Sequence, residues 1–255
     1  MSPTPVPQPA FEPIPARGLT DDVYDTLLDM LTSGVFEPDA PLYIDRLARS
    51  LQVSLTPVRE ALARLESTGL ISRTTRRGYR VAPPMSAEQM RELVEARLVL
   101  EAGALERALE DKEALVADLR SAWERHRAEA EKFSDPTLVF DVQAVHEYFE
   151  IDWSFHQAIL DHCGNRYINR SVNALSFSVH RMRQTIGAGA TDAPIAVAEH
   201  AAILRALEEG RDEDALDALA SHLRNVAARS TQKDEGVDEG VGDVRKDGRS
   251  GRRTV

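Results

Sequence analysis

A single cysteine, Cys163, is too little for an intramolecular disulfide framework, so packing alone has to hold this 255-residue chain. Long apolar runs are missing too. No stretch approaches the roughly eighteen consecutive apolar residues of a membrane-spanning helix, and the first eighteen residues carry six prolines instead of the apolar core of a signal peptide. Positive charge is scarce, with 31 Lys and Arg against 42 Asp and Glu and a net charge of −11. These absences predict a soluble, cytoplasmic protein with no membrane partner. Residues 1–18 read as a disordered arm, and residues 231–255, rich in acids and glycine with little to bury, as a disordered tail. The 42% hydrophobic fraction suffices for two small domains between them.

One stretch reverses the charge. Residues 43–84 hold eight arginines against three acids, which leaves −16 for everything else. A local basic patch on an acidic chain suits the phosphates of duplex DNA, while the acidic remainder limits indiscriminate binding. The pattern agrees. Thr20 to Gly34 reads as an amphipathic helix with Val23, Leu27, Leu28 and Leu31 on one side. Leu47, Ala48 and Leu51 give a second, interrupted at Gln52-Val53-Ser54. Ser54 then stands as N-cap of a third, with Pro57 early and Val58, Ala61, Leu62 and Leu65 on its apolar face. Leu70-Ile71 and Tyr79-Arg80-Val81 read as strands around a basic turn, Arg76-Arg77-Gly78, and Pro83-Pro84 close the unit. Residues 19–84 therefore read as a winged helix-turn-helix.

The run Val53-Ser54-Leu55-Thr56-Pro57-Val58-Arg59-Glu60-Ala61-Leu62, with Arg64-Leu65, Gly69-Leu70 and Arg77-Gly78-Tyr79-Arg80-Val81, resembles the DNA-binding domain of the GntR superfamily of bacterial transcription regulators. The resemblance puts Ser54, Leu55, Thr56, Pro57, Arg59, Arg64, Arg76, Arg77 and Gly78 at the DNA. Leu55 departs from the family pattern, which has an arginine there that reaches the major groove. Either the site read is a variant or Arg59 and the wing carry more of the contact. Asp45 likewise stands where some relatives have a basic residue.

From residue 86 to 230 the chain shows helical periodicity without strand-like alternation. Turn signals divide it into helices near 86–109, 112–132, 136–162, 165–187, 194–209 and 212–230, an antiparallel bundle, so the fold class is mainly α. Four polar residues interrupt its apolar stripes. Asp152 and His156 share a face with Val145, Phe149, Ile159 and Leu160; His200 lies with Ala196, Ile203, Leu204 and Leu207; His222 lies with Ala215, Leu219 and Val226. Any one of these histidines reads more simply as a hydrogen-bonded core residue, but together with an inward Asp they suit a divalent ion such as zinc or nickel, with positions left open. His126, His146, His162 and His180 are left as structural or solvated. Arg97 shares a stripe with Met90, Leu93, Leu100 and Ala104, where it is either an i,i+4 partner of Glu101 or a fork for a carboxylate ligand.

Asp152, Phe155-His156, Glu199-His200 and His222 resemble the metal-binding pattern of the FCD effector domain found in the FadR-like branch of GntR regulators, and six helices resemble its shorter, vanillate-regulator type. The resemblance implies a homodimer that binds an inverted-repeat operator, and a ligand cavity beside the metal in which Arg97 meets a small organic acid. The expected protein is a repressor controlled by such a metabolite, with direct metal sensing as the alternative. A metal-dependent hydrolase lacks a general base in sequence company with the ligands and leaves the winged domain without a use. The protein is thus expected not to be an enzyme.

Overall fold

The structure is a computed structural model that describes residues 18–74, 78–133, 135, 138, 141–177, 180–181 and 191–231. The expected N-terminal arm and most of the expected tail lie outside these residues. The chain divides into two compact units, Met1–Pro84 and Met85–Val255.

The first unit is built on α1 (Leu19–Thr32), β1 (Pro41–Leu42), α2 (Ile44–Ser50), α3 (Leu55–Ser67), β2 (Ile71–Thr74) and β3 (Gly78–Val81). Val23, Leu27 and Leu31 of α1 pack toward Val58, Ala61, Leu62 and Leu65 of α3, all buried. The turn between α2 and α3 is closed by Gln52 in the left-handed region at φ 56° and by Val53 N–H donating to Ala48 O at 3.0 Å. Ser54 occupies the N-cap position of α3 without a side-chain cap bond. Three polar contacts fasten α1 to α3: Arg64 to Asp21 at 2.6 Å, the Arg64 guanidinium over Tyr24 at 4.2 Å, and Thr20 to Glu60 at 2.9 Å.

The wing is a three-stranded antiparallel sheet of order β1-β3-β2, with Leu42 opposite Tyr79 and Ile71 opposite Val81. The sequence reading had two strands and a connection at Leu42. Two residues are too few to show alternation, and Pro41 is tolerated because β1 is an edge strand. Gly78 belongs to the central strand and not to the turn. A Cβ there would stand 3.0 Å from Leu42 O, so close strand approach is what requires glycine.

The second unit comprises α4 (Ala87–Ala108), α5 (Lys112–Lys132), α6 (Val142–His162), α7 (Arg166–Ala174), α8 (Ala193–Glu208) and α9 (Asp212–Thr231), with a 3-10 turn over Leu109–Asp111. α4 opens on a capping box, Ser86 Oγ accepting from Gln89 N–H at 3.2 Å and Gln89 Oε1 from Ser86 N–H at 2.9 Å. Expected to begin at 136, α6 starts only after Asp141, whose carboxylate accepts from Ala144 N–H at 2.8 Å and fixes the first turn. The helix expected over 165–187 breaks at Ser176, where φ is 51°. Residues 178–179 and 182–187 of that expected helix lie outside the described ones. α4 packs against α6, α7 and α9, α5 against α6 and α8, and α8 against α9, around Met90, Leu105, Leu115, Leu119, Phe155 and Ile203.

Gly78→Ala is expected to destabilise the winged unit by about 1–3 kcal/mol, because the added methyl meets backbone that has little room to retreat. Urea denaturation of the two proteins checks this, and equal midpoints would show that β1 yields freely.

Candidate DNA-reading face and metal centre

On α3 the solvent face carries Leu55, Thr56 and Arg59, and Leu55 is 41% exposed despite its apolar side chain. Ser54 is exposed at the helix start. Pro57 and Gly78 of the expected DNA-facing set are buried, Pro57 on α3 and Gly78 in the wing sheet. Arg64 is engaged with Asp21 and Tyr24, a use that competes with phosphate contact. Arg76 and Arg77 lie outside the described residues. Arg80 donates to Asp39 O at 2.6 Å, which ties the wing to the chain ahead of β1. Arg73, which the sequence reading passed over, stands exposed on β2.

In the second unit, α6, α8 and α9 bring His156, His200 and His222 together. Their Nε2 atoms form a triangle with sides of 3.3, 3.3 and 3.2 Å. Two carboxylates decide what those atoms are. Glu101 on α4 receives His156 Nδ1 at 2.8 Å, and Glu199 on α8 receives His222 Nδ1 at 2.8 Å. A carboxylate only accepts, so each Nδ1 carries the proton and, in a neutral ring, Nε2 keeps its lone pair. Burial, reinforced by the neighbouring rings, pushes His200 well below the ordinary imidazole range, and burial lowers His222 as well. Lone pairs facing one another at this distance repel unless a cation lies between them. Two nitrogens bound to one zinc at about 2.0–2.1 Å each stand roughly 3–3.4 Å apart, so the donor set fits a divalent ion.

The supporting carboxylates are held in turn. Burial alone would raise the Glu101 carboxyl, but Arg97, whose Nε lies 2.6 Å from it, and His156 bring it down to about 2. Glu199 is likewise held at about 2 against burial by His222, Arg229 and Asn225, with both Arg229 Nη atoms at 2.9 Å. Arg229 also shares Asp192 with Arg181.

Asp152 stands differently from the sequence expectation. Its Oδ1 groups with His126 and His200, at 3.3 Å from His126 Nε2 and 4.0 Å from His200 Nε2, rather than with the whole triangle. His126, left aside as structural or solvated, is fully buried within the cluster, its Nδ1 3.0 Å from His200 Nδ1. Its signal was available: Leu115, Leu119, Ala122 and His126 form one buried stripe along α5. Glu101 was legible in the same way from the stripe of Met90, Arg97, Ala104 and Ala108.

Both readings of Arg97 have support. It is paired with Glu101, its guanidinium lies over Phe177 at 3.8 Å, and both its Nη atoms, like Asp152 Oδ1, are buried without a hydrogen-bond partner among the described residues. A cavity of about 20 Å³, room for about one water, opens beside Asp152, His156 and His222.

Known families account for both units. The profile of bacterial regulatory proteins of the gntR family matches residues 19–81, and the FCD domain profile matches residues 92–225. The chain belongs to the GntR family. Among relatives of this GntR protein, a Streptomyces ambofaciens HTH-type transcriptional regulator in an unstable DNA locus is 31% identical over 211 residues, covering 80% of this chain and 82% of the relative. A probable D-xylose utilization operon transcriptional repressor of Paenarthrobacter nicotinovorans is 26% identical over 225 residues, covering 88% and 93%. The E. coli structure McbR/YncC shares the fold with a TM-score of 0.65 at 23% identity, over 85% of this chain and 99% of that one. This GntR protein is a DNA-binding transcriptional regulator and not an enzyme. Among the described residues no helix is long and apolar enough to cross a membrane.

For the exposed face of α3, Arg59→Ala is expected to weaken operator binding roughly tenfold to a hundredfold, the loss of about 1–3 kcal/mol that follows removal of a base-reading arginine. Leu55→Arg should change the preferred base pair beneath it, since an apolar side chain suits a thymine methyl and an arginine a guanine. Selection from random DNA with wild type and Leu55→Arg checks the second point; identical sites would place Leu55 outside the groove.

Proposed function

We propose that this regulator is a repressor that binds an inverted-repeat operator as a homodimer, and that a small carboxylate relieves repression by binding beside a divalent ion in the helical unit. The convergence of three imidazole Nε2 atoms, two of them fixed as lone pairs by carboxylates, carries this reading. His156, His200 and His222 would hold zinc or nickel, with Asp152 the adjacent carboxylate. The ion supplies a Lewis-acidic anchor for an anionic ligand. The two buried Arg97 Nη groups, without acceptors among the described residues, support an anion at that end. Repression is supported by the name of the D-xylose relative, and occlusion of a promoter by an operator-bound dimer is its simplest mechanism.

Thermodynamics adds a sign. A ligand shifts DNA affinity only by the difference in its affinity for the two arrangements of the dimer, so the releasing acid binds the DNA-free arrangement more tightly.

Direct sensing of the metal is a second reading, and the small cavity favours it, since about 20 Å³ leaves no preformed room for an organic acid. Chelation and added carboxylates separate the two. Release of DNA by a chelator alone, with no carboxylate active, would select the metal as the signal.

Arg97→Ala is a poor probe, since it strands the fully buried Glu101 and with it His156. Arg97→Lys keeps the charge and removes the fork. Purified wild type is expected to hold about one divalent ion per chain, and His200→Ala/His222→Ala to lose it together with stability. Arg97→Lys should retain the ion but bind carboxylates at least about tenfold more weakly, the loss of one charge-assisted bond. Elemental analysis and calorimetry measure these; metal-free wild type after growth in supplemented medium would end the reading.

A further inference from the structure

The three converging imidazoles are not held alike. His156 and His222 each rest Nδ1 on a carboxylate, whereas His200 Nδ1, among the described residues, meets only another imidazole, the Nδ1 of His126 at 3.0 Å. We propose that His126 is a positioning residue of the metal centre: its Nδ1 accepts the Nδ1–H of His200 and so turns the His200 Nε2 lone pair toward the ion. This inference rests on the metal reading given above.

Two nitrogens at that distance share one proton. If it sat on His126, His200 would carry its own proton on Nε2 and could not act as a ligand. With the proton on His200, His126 is protonated on Nε2, which lies 3.2 Å from Tyr148 Oη and 3.3 Å from Asp152 Oδ1. Tyr148 Oη can accept that proton in a hydrogen bond, and the Asp152 charge favours it on that side of the ring. Water offers no substitute, because both imidazoles are fully buried. Phe155 stacks on His200 at 4.1 Å and 8°, which fixes the plane of the ring but supplies no acceptor. Phe155 sets the plane and His126 sets the tautomer.

The arrangement also gives α5 a part in the centre without giving it a ligand, and places Asp152 at both His126 and His200. A neutral imidazole accepts less strongly than the carboxylates behind His156 and His222. His200 is therefore the ligand whose donor strength depends most on a single neighbour.

The experiment uses full-length protein, zinc as the probe, and the variants His126→Gln and His126→Leu. The Gln side chain keeps a carbonyl acceptor for His200 Nδ1–H, whereas Leu keeps bulk alone. Long-range ¹⁵N–¹H correlation spectra of metal-free wild type should show His200 protonated on Nδ1. Zinc affinity, by competition with a chromophoric chelator, should fall roughly 10–100-fold in His126→Leu, the usual effect of losing such a partner, and recover most of the way in His126→Gln. Spectra showing His200 protonated on Nε2, wild-type affinity in His126→Leu, or equal losses in both variants would overturn the inference while leaving the metal reading intact. Failure of wild type itself to bind zinc would overturn the metal reading and this role with it.

Discussion

Three imidazole nitrogens turned toward one another inside a helical core impose a condition that most of the second unit meets. Left neutral and unfilled, the lone pairs of His156 and His222 repel at 3.2 Å, and protonating either ring puts a charge into a desolvated core. The surrounding residues suit the convergence instead of relieving it. Glu101 and Glu199 hold the outer nitrogens of His156 and His222, and Arg97 and Arg229 hold the carboxylates. The chain of contacts thereby ties α4, α6, α8 and α9 to a polar centre, with Phe155, Ile159, Ile203 and Leu219 packed around it. Ion pairs as buried as Arg97 and Glu101 are expensive in desolvation and gain little over apolar packing. Their presence is better explained by the orientation they give His156 than by stability.

The winged unit spends its charge differently. Several of its arginines are committed within the unit: Arg64 to Asp21 and Tyr24, Arg49 to Asp45 at 3.1 Å, Arg80 to Asp39. A count of eight arginines therefore overstates what faces a phosphate backbone. Arg59 on α3 and Arg73 on β2 are exposed and, among the described residues, have no ion pair, so the basic surplus narrows to a few positions on the solvent side of the helix and wing. Arg64 holds α1 on α3, and Arg80 holds the wing on the chain before it.

How much of this was legible in the sequence follows from the range of each interaction. Helices, the winged architecture and the inward facing of His156, His200 and His222 depend on periodicity within one element, and they could be read. Pairing across elements could not. Nothing in the order of residues says that Glu101 would meet His156 across 55 positions, or that Asp152 would lie nearer His126 Nε2 than His200 Nε2. His126 is legible by the same periodicity, since its stripe on α5 is as regular as that of His200 on α8. The break at Ser176 and the two-residue β1 escaped for another reason. β1 exists through its pairing with β3, and the local sequence carries no turn signal at Ser176. Pro57 and Gly78 belong to a motif that matches the family as a whole, and a motif does not separate residues that touch DNA from residues that shape the surface.

The chain Arg97–Glu101–His156 sets terms for any effector that reaches it. Arg97 gives Nε to Glu101 and, among the described residues, keeps both Nη ends without acceptors, so an anion can engage those ends without first displacing the carboxylate. It still draws on the same positive charge. As the guanidinium turns toward a ligand, Glu101 loses part of the attraction that offsets its burial and leans harder on His156 Nδ1–H, which makes the imidazole a stronger donor at Nε2. On the proposed reading, ligand and metal affinities are then linked through one buried carboxylate, and linkage requires that each raises the other by the same factor. A carboxylate effector should therefore bind more tightly to the metal-loaded protein for two separable reasons, direct attraction to the ion and the response of Glu101. Only the second is lost when Glu101 is replaced by glutamine, whose amide keeps an acceptor for His156 but has no charge to rebalance.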